Sequence, residues 1–139
     1  MIAKKLLESL PFSIRIIRKM TLSVVDGCLT LHQTRVLFLI KEGLGQSQIA
    51  DVLQVSAAAV SKSMSQLSLK GLIKMKAGKD RRSLEISLTK DGTKTLNKVL
   101  QQVEKKLNKE IHHLSIEERD VLMSGLRVLD KLMGQIKEG

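Results

Sequence analysis

Between residues 56 and 82 the chain sets Lys62, Lys70, Lys74, Lys76, Lys79, Arg81 and Arg82 against a single acid, Asp80. Seven cations and one anion in so short a stretch suit the neutralisation of a polyanion, with nucleic acid first and an anionic membrane surface second. The rest of the chain does not share this bias. Residues 43–55 hold only Asp51, and residues 103–139 balance seven basic groups against seven acidic ones. More than half of the formal +10 carried by the 139 residues therefore sits in one segment. A lone charge cluster is usually a solvated face, so the elements that carry this one decide its meaning.

Other chemistries find less support. Cys28 is the only cysteine, which excludes an intramolecular disulfide and fits a cytoplasmic location. It falls on an apolar helical seam, where a thiol is buried and inert rather than a redox sensor. A zinc site would have to draw on Asp26, Cys28, His32, His112 and His113. The last two are neighbours, about 100° apart around a helix, and cannot face one ion together. They read as surface or interface histidines, and no metal or cofactor is expected. No nucleophile has a base at suitable spacing, no glycine-rich phosphate loop is present, and no carboxylates are paired for acid–base work. An enzyme is not expected. Tryptophan and tyrosine are absent and only Phe12 and Phe38 are aromatic. That removes the stacking platforms on which single-strand binders rely and favours a duplex.

A content of 42% apolar and 27% charged residues marks a folded chain rather than a disordered one. Leu7, Leu10, Ile14, Ile17, Thr21, Val24 and Cys28 recur at three- and four-residue steps, the seam of a long first helix. Pro11 predicts a kink or a fresh helix start within it, and Gly27 ends it. Thr30 with Gln33 forms a capping box opening a second helix to about Lys41, with Val36, Leu37 and Ile40 inward. Gly43 and Gly45 break it before a short third helix, Gln46 to Leu53, carrying Ile49, Ala50, Val52 and Leu53. Ser56 caps a fourth helix that Gly71 terminates. Helix, short turn, helix gives the dimensions of a helix-turn-helix. Two strand-like segments follow, Leu72–Lys76 and Ser83–Leu88, joined by the charged tip from Ala77 to Arg82. A hairpin in that place is a wing. Thr89 caps a fifth helix striped with Leu96, Leu100, Val103, Leu107, Ile111 and Leu114. Ser115 with Glu118 opens a sixth, with Leu122, Leu126, Leu129, Met133 and Ile136. The fold class is mainly α with a small β-hairpin wing: a winged helix-turn-helix with long N- and C-terminal helices. Those helices exceed what so small a winged domain can cover, which points to a two-fold homodimer. The expected division is a dimerisation helix over 1–28, the DNA-binding domain over 29–92, and further dimerisation helices over 93–139.

In this frame the cationic segment is the fourth helix and the wing, the two elements that touch duplex DNA in such folds. Ser56, Ala57, Ser61 and Lys62 lie at the fourth helix's N-terminal end, which enters the major groove. Lys62 suits guanine O6/N7 or a phosphate, Ser61 donates or accepts, and Ala57 suits a thymine methyl. Gln46 and Ser47 stand at the start of the third helix, where free amides hold a phosphate.

Leu29-Thr30-Leu31-His32-Gln33, Gln48 to Leu53, Val60-Ser61-Lys62, Leu67 and Gly71-Leu72-Ile73 occur in an order that resembles the multiple antibiotic resistance regulator (MarR) family. Asp80-Arg81-Arg82, followed by Leu88-Thr89-Lys90-Asp91-Gly92, resembles that family's wing and the start of its fifth helix; Met75 departs from it, standing where arginine is common. The resemblance covers residues 29–92 by motif and the flanking helices by pattern only. It implies that Arg82 enters a minor groove with Asp80 holding its guanidinium, while Lys79 and Arg81 meet phosphates. It further implies a bacterial transcriptional regulator, a ligand-responsive repressor acting on a palindromic double-stranded operator. A small aromatic effector would bind in a crevice near Ile14, Arg18, Leu31 and Arg35. The alternative is a sequence-nonspecific architectural DNA-binding protein. No membrane partner is expected, because the longest aliphatic or aromatic run, Val36 to Ile40, is far too short to span a bilayer.

Overall fold

The computed structural model describes residues 1–25, 27, 29–78 and 84–136. Its elements in chain order are α1 (Ile2–Val24), α2 (Leu31–Lys41), α3 (Gln46–Leu53), α4 (Ala57–Leu69), β1 (Ile73–Ala77), β2 (Leu84–Leu88), α5 (Lys90–Ile111) and α6 (Ile116–Gln135). This is a winged helix-turn-helix with long terminal helices, as expected. The chain divides into two compact units, Met1–Val103 and the residues from Glu104 onward.

The first unit is built on the contact of α2, α3 and α4. Val36, Leu37, Ile49, Val60, Met64, Leu67 and Leu96 are fully enclosed, with Ile40, Leu72 and Ile73 around them. The expected inward residues of α2 are the observed ones. On α3 the apolar set divides: Ile49 and Ala50 are buried, whereas Val52 is exposed. The capping devices form as read. Thr30 Oγ1 accepts from the Gln33 amide at 3.0 Å, and Gln33 Oε1 accepts from the Thr30 amide at 3.2 Å. Ser56 Oγ accepts from Ala59 N at 3.1 Å.

One of the two alternatives at Pro11 falls away, and one strand boundary needs correction. α1 runs without interruption through Pro11, so no new helix starts there. Proline removes a single donor, the one aimed at the Leu7 carbonyl, and that loss does not end the helix. The first strand begins at Ile73 rather than Leu72. The reason is the end of α4: Gly71 has a φ of 73° and donates to Ser68 O at 2.9 Å, and Leu72 donates to Leu67 O at 3.0 Å. These two bonds are a Schellman closure, which a left-handed glycine completes without strain. Leu72 is therefore committed to the helix end.

β1 and β2 pair antiparallel, with Ile73 opposite Leu88, Met75 opposite Ile86 and Ala77 opposite Leu84. Those three pairs share one face, while Lys74 opposite Ser87 and Lys76 opposite Glu85 share the other. The apolar face is buried at Ile73 and exposed by Met75 and Leu84, so the hairpin is rooted in the core and projects from it. Thr89 roots the following helix as well. Its amide donates to Leu72 O at 3.1 Å, its hydroxyl donates to Gly71 O at 2.6 Å, and Thr89 Oγ1 accepts from Gly92 N at 3.0 Å.

In the second unit, Ser115 Oγ accepts from Glu118 N at 3.0 Å and Glu118 Oε1 accepts from Ser115 N at 3.0 Å, the expected capping box. Arg119 donates to the Ile111 and His112 carbonyls at 3.2 and 3.0 Å. A cation there satisfies the open carbonyls of α5 and complements its dipole. α1 and α6 bury none of their residues completely. Leu7 of α1 is 77% exposed and Val121 of α6 is 72% exposed. Among the described residues no helix is long and apolar enough to cross a membrane.

Candidate nucleic-acid interface

The N-terminal half of α4 presents the side chains expected to touch a duplex. Val60, Ser63, Met64 and Leu67 turn inward, which rotates Ala57, Ala58, Ser61, Lys62 and Ser65 to the exposed side. Ser65 lies one turn beyond Ser61 and belongs to the same face, although its type alone did not single it out. Ala57 and Ala58 at the start keep that face shallow, so the backbone can approach a groove wall closely. Ser56 is held by its capping bond, which consumes one acceptor site and leaves the hydroxyl proton available.

Gln46 and Ser47 occupy the first turn of α3, behind the N-cap Gly45, whose amide donates to Gln48 Oε1 at 2.8 Å. Ser47 is exposed and Gln46 half-buried, so the opening amides of this helix face a partly solvated edge. The exposed face of the hairpin adds Lys74 and Lys76, with Glu85 opposite the second of these. Lys79, Asp80, Arg81 and Arg82, the expected minor-groove and phosphate contacts, lie outside the described residues, as do Asp26 and Cys28.

The four residues of the expected effector crevice are brought together only in part. Burial, and then the neighbouring Arg18 guanidinium, lower the Arg35 pKa below the usual arginine value. These two cations therefore lie within electrostatic reach of each other. Leu31 is half-buried, and Ile14 is exposed on α1. A cavity of about 270 Å³ lies elsewhere in the first unit, lined by Val24, Val25, Leu29, Val99, Lys94 and Lys98 among others. Its lining combines aliphatic side chains with two lysines.

A group of polar side chains between α2 and α4 was not legible as a site. His32 Nε2 lies 2.9 Å from Ser63 Oγ, and Gln33 Nε2 donates to Gln66 Oε1 at 3.1 Å. Lys70, one of the seven cations of the basic segment, extends its ammonium to Gln33 Oε1 at 3.4 Å. Gln33 carried a sequence signal as a capping residue; its second partner depends on which helix packs beside it, and periodicity does not give that.

No protein-family model matches the chain, and no curated protein matches it. Solved structures do. A Pseudomonas aeruginosa protein described as a transcriptional regulator superposes with a TM-score of 0.81 at 22% identity, over 99% of this chain and 95% of that one. The apo form of wild-type MarR from E. coli gives 0.70 at 22% identity, over 91% and 94% of the two chains. FabT from Streptococcus pneumoniae, solved in complex with DNA, gives 0.64 at 23% identity, over 97% of each. At these identities the likeness establishes a shared fold along nearly the whole chain.

Proposed function

We propose that this chain, which has the fold of the MarR regulators, is a dimeric transcriptional regulator that reads a palindromic site in double-stranded DNA. The observation that carries this reading is the exposed face of α4, with Ser61, Lys62 and Ser65 presented on a helix whose other side is locked into the core. A recognition helix needs that combination: polar reach on one side and no freedom on the other. The cations of Lys74 and Lys76 on the adjoining hairpin supply sequence-independent attraction to phosphates. FabT, of the same fold, is held in a DNA complex.

The dimer is supported by the apolar side chains that α1 and α6 leave in solvent. Leu7, Ile14, Ile17, Leu122, Leu126 and Met133 are all exposed, on the faces whose periodicity reads as helical seams. Exposed apolar surface repeated along two helices is the mark of an interface. A two-fold dimer presents two copies of α4, which sets the half-sites about one helical turn apart.

Response to a small ligand belongs to the same proposal. Arg18 and Arg35 on one side, and the cavity lined by aliphatic side chains and two lysines by Val24 and Val99 on the other, both favour an anionic compound with an apolar body. Repression rather than activation follows from the family resemblance.

The test is selection of bound duplexes from a random pool with the full chain. A palindromic consensus is expected. Recovery of unselected sequence at every round would instead make the chain a nonspecific architectural protein.

A further inference from the structure

Two helices that pack through aliphatic side chains alone are held by a non-directional force. α4 packs on α2, and Val36, Leu37, Val60, Met64 and Leu67 of the two helices are buried in one core cluster. Such a contact, with those to α3 and β1, fixes the seat of α4 but distinguishes small rotations about its axis only by packing. The polar group beside it supplies direction. Ser63, Gln66 and Lys70 follow at steps of three and four, so they form one ridge along α4. Each meets a residue at the start of α2: Ser63 meets His32, and both Gln66 and Lys70 meet Gln33. Gln33 and Ser63 are 7% and 6% exposed. Gln66 and Lys70 are exposed, but the Gln33 amide they meet is buried, and a misaligned bond leaves that buried amide without its partner. Gln33 uses both ends of its amide. Nε2 donates to α4, while Oε1 accepts from Lys70 and from the Thr30 amide that opens α2.

We propose that Gln33 is a specificity-determining positioning residue: through Gln66 and Lys70 it fixes the rotation of α4 about its own axis, and so which base edges Ser61 and Lys62 reach. This rests on the reading of α4 as the recognition helix. Side-chain tips lie about 5–6 Å from a helix axis. A rotation of about 10° therefore moves them by about 1 Å, more than the roughly 0.5 Å that a positioned contact tolerates. A residue with no access to DNA then governs readout through one amide.

The test compares affinities for the selected duplex and for duplexes with single base-pair changes under α4, by competition anisotropy at fixed salt. Gln33→Met keeps the volume and loses both amide arms. It is expected to cut discrimination at those pairs by about tenfold or more, the scale of one base contact. Affinity for scrambled DNA and the salt slope should stay as in the wild type, since no phosphate contact is removed. Gln33→Glu should retain discrimination, because its carboxylate still accepts from Thr30 N and Lys70, and Gln66 can turn its amide over to donate. Gln33→Met also weakens the α2 cap, so Gln66→Leu, on an exposed position with the cap intact, repeats the test. If Gln66→Leu and Gln33→Met keep discrimination within twofold of wild type, or lose affinity equally on all duplexes, the proposal is overturned. A wild-type chain that binds every duplex alike refutes the reading of α4 itself, and the role of Gln33 falls with it.

Discussion

Replacing Gly92 by alanine should damage the winged domain through a direct clash that the other described glycines, from Gly27 to Gly134, do not face. Gly92 sits buried in the first turn of α5, and a Cβ there would collide with the carbonyl of Leu72, 2.9 Å from its carbon and 3.3 Å from its Cα. Leu72 cannot retreat, because its own amide closes the end of α4 on Leu67 O at 3.0 Å and its side chain is in the core. The start of α5 must move away instead. That movement strains the two bonds from Thr89, to Leu72 O and to Gly71 O. Two lost hydrogen bonds cost about 1 kcal/mol each, and forcing a methyl into a closed contact adds about 1–3 kcal/mol. The sum is about 3–5 kcal/mol, a large share of the roughly 5–15 kcal/mol that holds a domain together. Urea unfolding at one fixed protein concentration measures it, and the melting temperature should fall by about 10–15 °C for a chain of this size. Gly125→Ala is the control. It adds a methyl in open space within α6 and should be neutral or stabilise by about 0.5–1 kcal/mol. A Gly92→Ala protein within 1 kcal/mol of the wild type would refute the reasoning, since the strap from Thr89 would then not hold α5 against the end of α4.

Ser56→Ala removes the capping bond to Ala59 N and should cost about 1 kcal/mol in urea unfolding and lower DNA affinity, whereas Ser56→Asp, whose carboxylate caps as well, should keep the stability and still lose DNA affinity. Leu126→Asp places a charge on the exposed apolar face of α6; sedimentation should show the wild type as a dimer at micromolar concentration and the variant shifted to monomer or unfolded. Lys79→Ala should weaken binding to all duplexes alike and lower the salt slope by about one unit. Arg82→Ala should cost about 1–3 kcal/mol on the selected site, flatten its A·T preference at the wing, and leave random DNA much less affected.

The parts of this fold that were legible in the sequence are those set by neighbours along the chain. Thr30 with Gln33 and Ser115 with Glu118 announce helix starts because a capping box is a local device, complete within four residues. The inward face of α2 follows from periodicity. What sequence alone missed depends on partners far along the chain. The pairing of His32 with Ser63 spans thirty-one positions and that of Gln33 with Gln66 thirty-three, and nothing in either residue's neighbourhood marks it. The one-residue shift of β1 has the same character, since Leu72 reads as a strand residue until the glycine before it closes α4. At the candidate site, Ser61 and Lys62 were found from their place on the helix, whereas Ser65 needed the inward face to be known first.

On the proposed function, two copies of α4, related by a two-fold axis, read one duplex. Hydroxyl-radical footprinting of the full chain on its selected duplex tests it most directly. Two symmetric patches of protection are predicted, centred about 10 bp apart on one face of the DNA, with further protection from the hairpins at the outer edges. A single asymmetric patch, or uniform weak protection along the whole duplex, would contradict it.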